Sequence, residues 1–176
     1  PKTICSDLLF SDWIKDKLIG TVEHTRNGYN QLKETDKMYG NQIPGYSIAI
    51  SDKKVNEESR EVAHSIMHAV ESILYGQGIT LSRRKILLMG AKGNIGTCLF
   101  KILQGGKLDR SNRDIICIDN SDQGQQKSCY RSFNEAPIEA ILAQDLFVGV
   151  TGVSLIKKDL IEILLLKGRS RELFFC

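Results

Sequence analysis

The stretch Lys85-Ile86-Leu87-Leu88-Met89-Gly90-Ala91-Lys92-Gly93-Asn94-Ile95-Gly96 decides the fold. Four successive apolar side chains, Ile86 to Met89, have the length and composition of a strand buried on both faces. The glycines that follow break the strand, and Thr97 to Gln104 reads as the helix after the turn. About twenty residues on, a second apolar run, Ile115-Ile116-Cys117-Ile118, ends in Asp119. Strand, glycine turn, helix, strand and acid therefore occur in a fixed order.

Each part has a mechanical purpose. Gly93 lets backbone approach a pyrophosphate, and Gly96 lets the helix pack close to the strand. The amides at the helix start, Asn94 and Ile95 among them, present N–H groups and the positive end of the helix dipole to phosphate. Asp119 can accept hydrogen bonds from both ribose hydroxyls of an adenosine half, and its charge opposes a 2′-phosphate. This is the layout of a dinucleotide-binding βαβ unit, with NAD favoured over NADP. The strict G-x-G-x-x-G pattern has Ala91 in its first place, after Gly90. A flavodoxin-like or methyltransferase-type sheet uses a similar turn. A P-loop is disfavoured, because no Gly-Lys-Ser/Thr follows the glycines.

Outward from this core, strands and helices alternate. Residues 7–19 are compatible with a helix, and 21–40 are polar, with Gly28 and Gly40 as punctuation. Residues 43–50 read as a turn feeding a short strand. Asn56 to Tyr75 is the strongest helix, with Asn56 as its cap and Val62, Ile66, Val70 and Ile73 as its apolar stripe. Gly76-Gln77-Gly78 stops it. After the second strand come a weak strand within 130–133, a helix at 137–143, a buried strand at 145–150, a helix at 157–167 and a strand at 172–176. The expected fold is α/β: a Rossmann-type doubly wound parallel sheet with part of a second, substrate domain. Because the chain stops on the strand-like Leu173-Phe174-Phe175-Cys176, we expect it to be part of a longer one.

The 176 residues carry a net charge of +3 with the charges scattered, which gives no footprint for nucleic acid. The apolar runs are too short to span a bilayer. Five widely spaced cysteines, without a C-x-x-C pair, read as reduced thiols in a cytoplasmic protein. His64 and His68 sit four apart on the long helix, but no third metal ligand is apparent, so no metal is expected.

With the glycine turn placed, the preceding segment resembles S-adenosylhomocysteine hydrolase (adenosylhomocysteinase). The resemblance rests on Glu23-His24-Thr25-Arg26-Asn27-Gly28, Ile43-Pro44, Ser51-Asp52-Lys53-Lys54 and Glu58, in register without an insertion. Leu146-Phe147-Val148-Gly149-Val150-Thr151-Gly152 resembles the family's strand that ends beside the nicotinamide. The resemblance covers roughly residues 22 to 160. It implies a tightly held NAD that oxidises a ribose 3′-hydroxyl, promotes elimination of a thiol and is then regenerated. By the same resemblance Lys54 handles the 3′-hydroxyl proton, and Glu58 stands for a catalytic aspartate. Thr25, Ser59, Thr151 and Gly152 reach the cofactor, and Asp119 holds its ribose. Residues 1–55 would close a substrate domain and 56–176 would form the NAD domain. A small adenosyl or nucleoside substrate and a homo-oligomer are implied, with neither nucleic acid nor membrane as partner.

The chain departs from the family's pattern at several points. His24 stands where the family has a substrate-contacting glutamate and replaces a carboxylate acceptor with a titratable ring. Ser59 replaces an asparagine and Ala63 a cysteine. A changed substrate, an amino-acid-dehydrogenase-type oxidoreductase and a catalytically silent NAD-binding regulatory relative all stay open.

Overall fold

A computed structural model describes residues 13–14, 17–40, 43–82, 84–105, 114–120, 128–166 and 173–176. The chain divides into two units, Pro1–Val55 and Asn56–Cys176.

The first unit contains a strand β1 (Thr21–Glu23), a helix α1 (Arg26–Tyr39) and a strand β2 (Gly45–Ser47). The strands pair in parallel, with Val22 opposite Tyr46. The short strand expected within 43–50 is thus β2. The helix within the polar 21–40 stretch is a finding that periodicity did not suggest, since none of its residues is buried. Its ends explain it. Thr25 caps it by accepting from the Gly28 amide at 3.0 Å, and Gly40, at φ +67°, ends it with an N–H to Asp36 carbonyl bond of 2.9 Å. Most of the helix expected over 7–19 lies outside the described residues.

A π-helical turn, Lys54–Glu58, crosses from the first unit into the second and runs into helix α2 (Ser59–Gly76). Asn56 therefore lies inside a turn and is not a cap. Ser51 occupies the capping place, its hydroxyl accepting from the Lys54 amide at 3.4 Å. The buried face of α2 is Ser59, Ala63, Met67, Val70 and Leu74. The expected stripe is rotated: only Val70 is shared, Val62 and Ile66 are half-buried, and Ile73 is 59% exposed. Small residues at 59 and 63 give this face close approach to its neighbour, which outweighs the β-branched pattern.

Five strands follow: β3 (Ile86–Met89), β4 (Ile115–Ile118), β5 (Cys129–Tyr130), β6 (Leu146–Gly149) and β7 (Phe174–Phe175). All are parallel, in the order β5-β4-β3-β6-β7. Between them lie α3 (Asn94–Leu103), α4 (Ile138–Leu142) and α5 (Lys158–Leu166). The side-chain period of two sends alternate residues to opposite faces. Ile86, Leu88, Cys117 and Val148 join Ala63, Met67 and Leu99 of α2 and α3 in one core. Leu87, Met89, Ile118 and Phe147 join Ile141, Leu160 and Leu164 of α4 and α5 in the other. Helices thus cover both faces, which makes the fold a Rossmann-like doubly wound α/β sheet.

Two details differ from the sequence reading. Helix α3 starts at Asn94, three residues early, because Gly93 takes the extended cap conformation and its carbonyl accepts from Thr97 at 2.8 Å. Gly149, expected to be buried with the rest of its strand, is exposed at the end of β6.

Candidate functional site

From β3 the chain goes to β4 and β5 on one side, and β6 and β7 lie on the other. The strand order therefore reverses between β3 and β6, and the crevice outside their carboxyl ends is where open α/β sheets take ligands. The glycine loop stands there. Gly90 has φ +85°, a conformation L side chains rarely adopt, and a Cβ on it would lie 2.9 Å from Thr151 Cγ2. A Cβ on Gly96 would overlap the Gly90 carbonyl oxygen. Packing requires both of these glycines. Gly93 is different: a Cβ there would meet only the Gly90 carbonyl oxygen, at 3.5 Å, which is ordinary contact. Ala91 is 5% exposed and its methyl belongs to the α2–α3 core, which accounts for an alanine in the first motif place.

Asp119 follows β4 and is buried. Its Oδ2 accepts from the Lys92 amide at 2.7 Å, and its own amide donates to the Tyr130 carbonyl at 2.9 Å. The acid is thus fixed against the glycine loop on one side and β5 on the other. A cleft of about 770 Å³ opens over these groups. Gly90, Lys92, Gly93 and Asp119 form its floor, Arg131 to Asn134 one wall, and Thr151, Leu155 and residues of α4 and α5 another. This volume suits a cofactor-sized ligand.

The other expected residues of this unit are placed as follows. Asn94 is exposed at the first turn of α3, and Ile95 packs its side chain into the core, leaving its amide at the loop. The Thr151 hydroxyl donates to the Val153 carbonyl at 2.6 Å and shapes the turn after β6. Gly152, exposed at φ +68°, completes that turn. Glu58 is exposed at the end of the π-helical turn, and Ser59 is buried on α2.

His24, Thr25 and Lys54 belong to the first unit. His24 is exposed between β1 and α1. Thr25 is held on both sides: its hydroxyl donates to Glu23 Oε1 at 2.7 Å and accepts from Gly28, while its amide donates to the same carboxylate at 2.6 Å. These bonds, the hydroxyl's first, hold the Glu23 carboxyl below its usual value. Lys54 is half-buried in the π-helical turn.

The sequence reading missed Lys92 as the partner of Asp119, the Arg131–Asn134 wall, and Lys157 and Asp159 on the far side of the cleft. Their signal was their place after the carboxyl ends of β3, β5 and β6. It also gave no role to Asp145, at the start of the strand expected over 145–150. Asp145 is 3% exposed, and its Oδ2 accepts from the Lys85 amide at 3.1 Å, tying the starts of β3 and β6 together. His64 and His68 are exposed, and among the described residues no three His, Cys, Asp or Glu side chains group as a metal site. Among these residues, too, no helix is long and apolar enough to cross a membrane.

Compared with known proteins, the chain matches no family model, and no curated protein matches it at a significant level.

Proposed function

We propose that the second unit binds NAD across the carboxyl ends of β3, β4 and β6. One observation carries this reading. Of the three loop glycines, only Gly93 is not required by the protein's own packing, and it faces a cleft floored by a fixed carboxylate. A backbone kept bare there serves a ligand that comes close. The Gly93–Ile95 amides would hold a pyrophosphate, and Asp119 would hold the adenosine ribose. The turn at Thr151-Gly152 would border the nicotinamide. NAD, when bound, supplies a hydride acceptor.

On that basis the resemblance to adenosylhomocysteinase supports a reaction on an adenosyl or nucleoside substrate at a ribose 3′-hydroxyl. Lys54 would take up the hydroxyl proton, with Glu58 and His24 handling the remaining proton and substrate contacts. A cytoplasmic homo-oligomer belongs to the same proposal. A second reading, an NAD-binding regulatory protein without turnover, draws support from Thr25, whose hydroxyl is already committed to Glu23 and Gly28. Titration calorimetry with NAD and NADP tests the cofactor: NAD binding that Asp119→Ala weakens supports it, and no binding of either nucleotide overturns it. Absorbance of enzyme-bound NADH after addition of S-adenosylhomocysteine separates the two readings.

A further inference from the structure

Cys117 on β4 and Cys129 on β5 are register partners in neighbouring parallel strands. The two thiols influence each other across the pair. Paired strands run about 4.8 Å apart, inside the span of about 4.4–6.8 Å that disulfide α-carbons tolerate. The two side chains thus stand side by side on one face of the sheet in the reduced fold. Their environments differ: Cys117 is 2% exposed, whereas Cys129 is half-buried. The residue before Cys129, Ser128, has φ +73°, a strained conformation for a non-glycine residue, and its carbonyl accepts from the Cys117 amide at 2.9 Å. The strand therefore enters the sheet through a strained residue that sets Cys129 opposite Cys117.

We propose that Cys117 and Cys129 form a reversible thiol-oxidation site whose product is a cross-strand disulfide beneath the cleft. The oxidant class is a peroxide. Peroxide oxygen goes to the accessible Cys129 sulfur, giving a sulfenic acid and releasing water. The Cys117 sulfur then attacks that sulfur. The S–O bond breaks, the S–S bond forms, and the Cys117 proton leaves with the hydroxide as a second water. Two thiols are oxidised by two electrons, and one peroxide is reduced to two waters. Burial raises both thiols and opposes the thiolate, and the charge of Lys92 only partly offsets it. The step is therefore slow beside that of an activated thiol and responds to sustained oxidant.

Both cysteines lie two residues before cleft groups, Asp119 and Arg131. A covalent link between 117 and 129 therefore ties the two strands together two residues from the cleft. Formation of the disulfide is independent of which ligand the cleft takes, so its test stands apart from the NAD reading.

The chain suits a direct experiment, because trypsin separates the two cysteines: Lys127 and Arg131 bracket Cys129, and Arg113 precedes Cys117. The whole protein, dilute and folded, is treated with hydrogen peroxide, alkylated, digested without reductant and mapped by mass spectrometry. The expected result is a linked pair of peptides 114–127 and 128–131, lighter by two hydrogens, which a dithiol reductant separates. Cys129→Ala abolishes the linked pair, and Cys98→Ser leaves it in place. Peroxide that oxidises only Cys98 or Cys176, or that carries Cys129 to sulfinic acid without a linked pair, overturns the proposal. The wild-type map needs no variant to fold.

Discussion

At position 96 one hydrogen atom on the α-carbon decides whether the loop can close. A methyl there would occupy the space of the Gly90 carbonyl, which is backbone and has no rotamer to escape into. Gly96→Ala is expected to destabilise by about 3 kcal/mol, the upper end for overpacking, read as a lowered denaturant midpoint. Gly93→Ala introduces only an ordinary contact. It should leave the midpoint nearly unchanged while weakening NAD binding at least tenfold, an effect worth about 1.4 kcal/mol. Equal loss of stability in both variants would remove the distinction on which the ligand reading rests. In the first unit, Glu23 offers a pH test. Its carboxyl titrates below the usual value because the Thr25 hydroxyl and amide bond its charged form. A depressed carboxyl contributes stability that is full above the usual value and is lost as pH falls through the depressed one. The Gly28 amide resonance, which reports the cap, should therefore move only at pH below the ordinary glutamate range. In Glu23→Gln it should not follow that titration. Thr25→Ala should cost about 1 kcal/mol as a lost cap, with Thr25→Ser restoring most of it.

Elements were legible in proportion to how much of their stability is local. The strands β3, β4 and β6 are apolar on both faces, so their sequence is a continuous run that no helix stripe imitates. The glycine loop was legible for a similar reason, its constraints lying within seven consecutive residues. Helix α1 was not, because its support comes from a cap and from the pairing of β1 with β2, neither of which has an apolar period. Helix α2 was found but turned, since small residues at 59 and 63 do not register as hydrophobic yet occupy the closest contact. The Arg131–Asn134 wall was illegible because β5 brings it to Asp119 only through pairing with β4. The same pairing sets the state of Cys117. Burial first, and then its neighbour Cys129, push its thiol up to about 12. A thiol raised in this way contributes stability that is full below the ordinary thiol value and is lost as pH rises through that value toward about 12. Among the described cysteines, alkylation of the folded protein should accordingly reach exposed Cys176 first and Cys117 last. Cys117 labelling as fast as Cys176 at neutral pH would contradict the packing of β4.

For the whole molecule, a ligand held only by the folded second unit stabilises it by mass action. NAD at roughly a hundred times its dissociation constant adds about 2.7 kcal/mol, seen as a higher melting temperature that NADP, opposed by Asp119, should match poorly. That result would establish a bound cofactor without saying whether it reacts. The reacting residues of the proposal divide between the units, His24 and Lys54 in the first and Glu58 in the second, while Asp119 and Thr151 of the binding set lie in the second. Binding and reaction are therefore tested by separate substitutions. The discriminating measurement follows from that division. S-adenosylhomocysteine added to the NAD-loaded protein should raise NADH absorbance up to one equivalent per site with no net cofactor consumed. Lys54→Ala should slow that rise on the order of a hundredfold or more, the usual worth of a general base, with NAD affinity unchanged. If NAD stays oxidised with every adenosyl substrate while Gly93→Ala still weakens its binding, the site senses the nucleotide without turning it over.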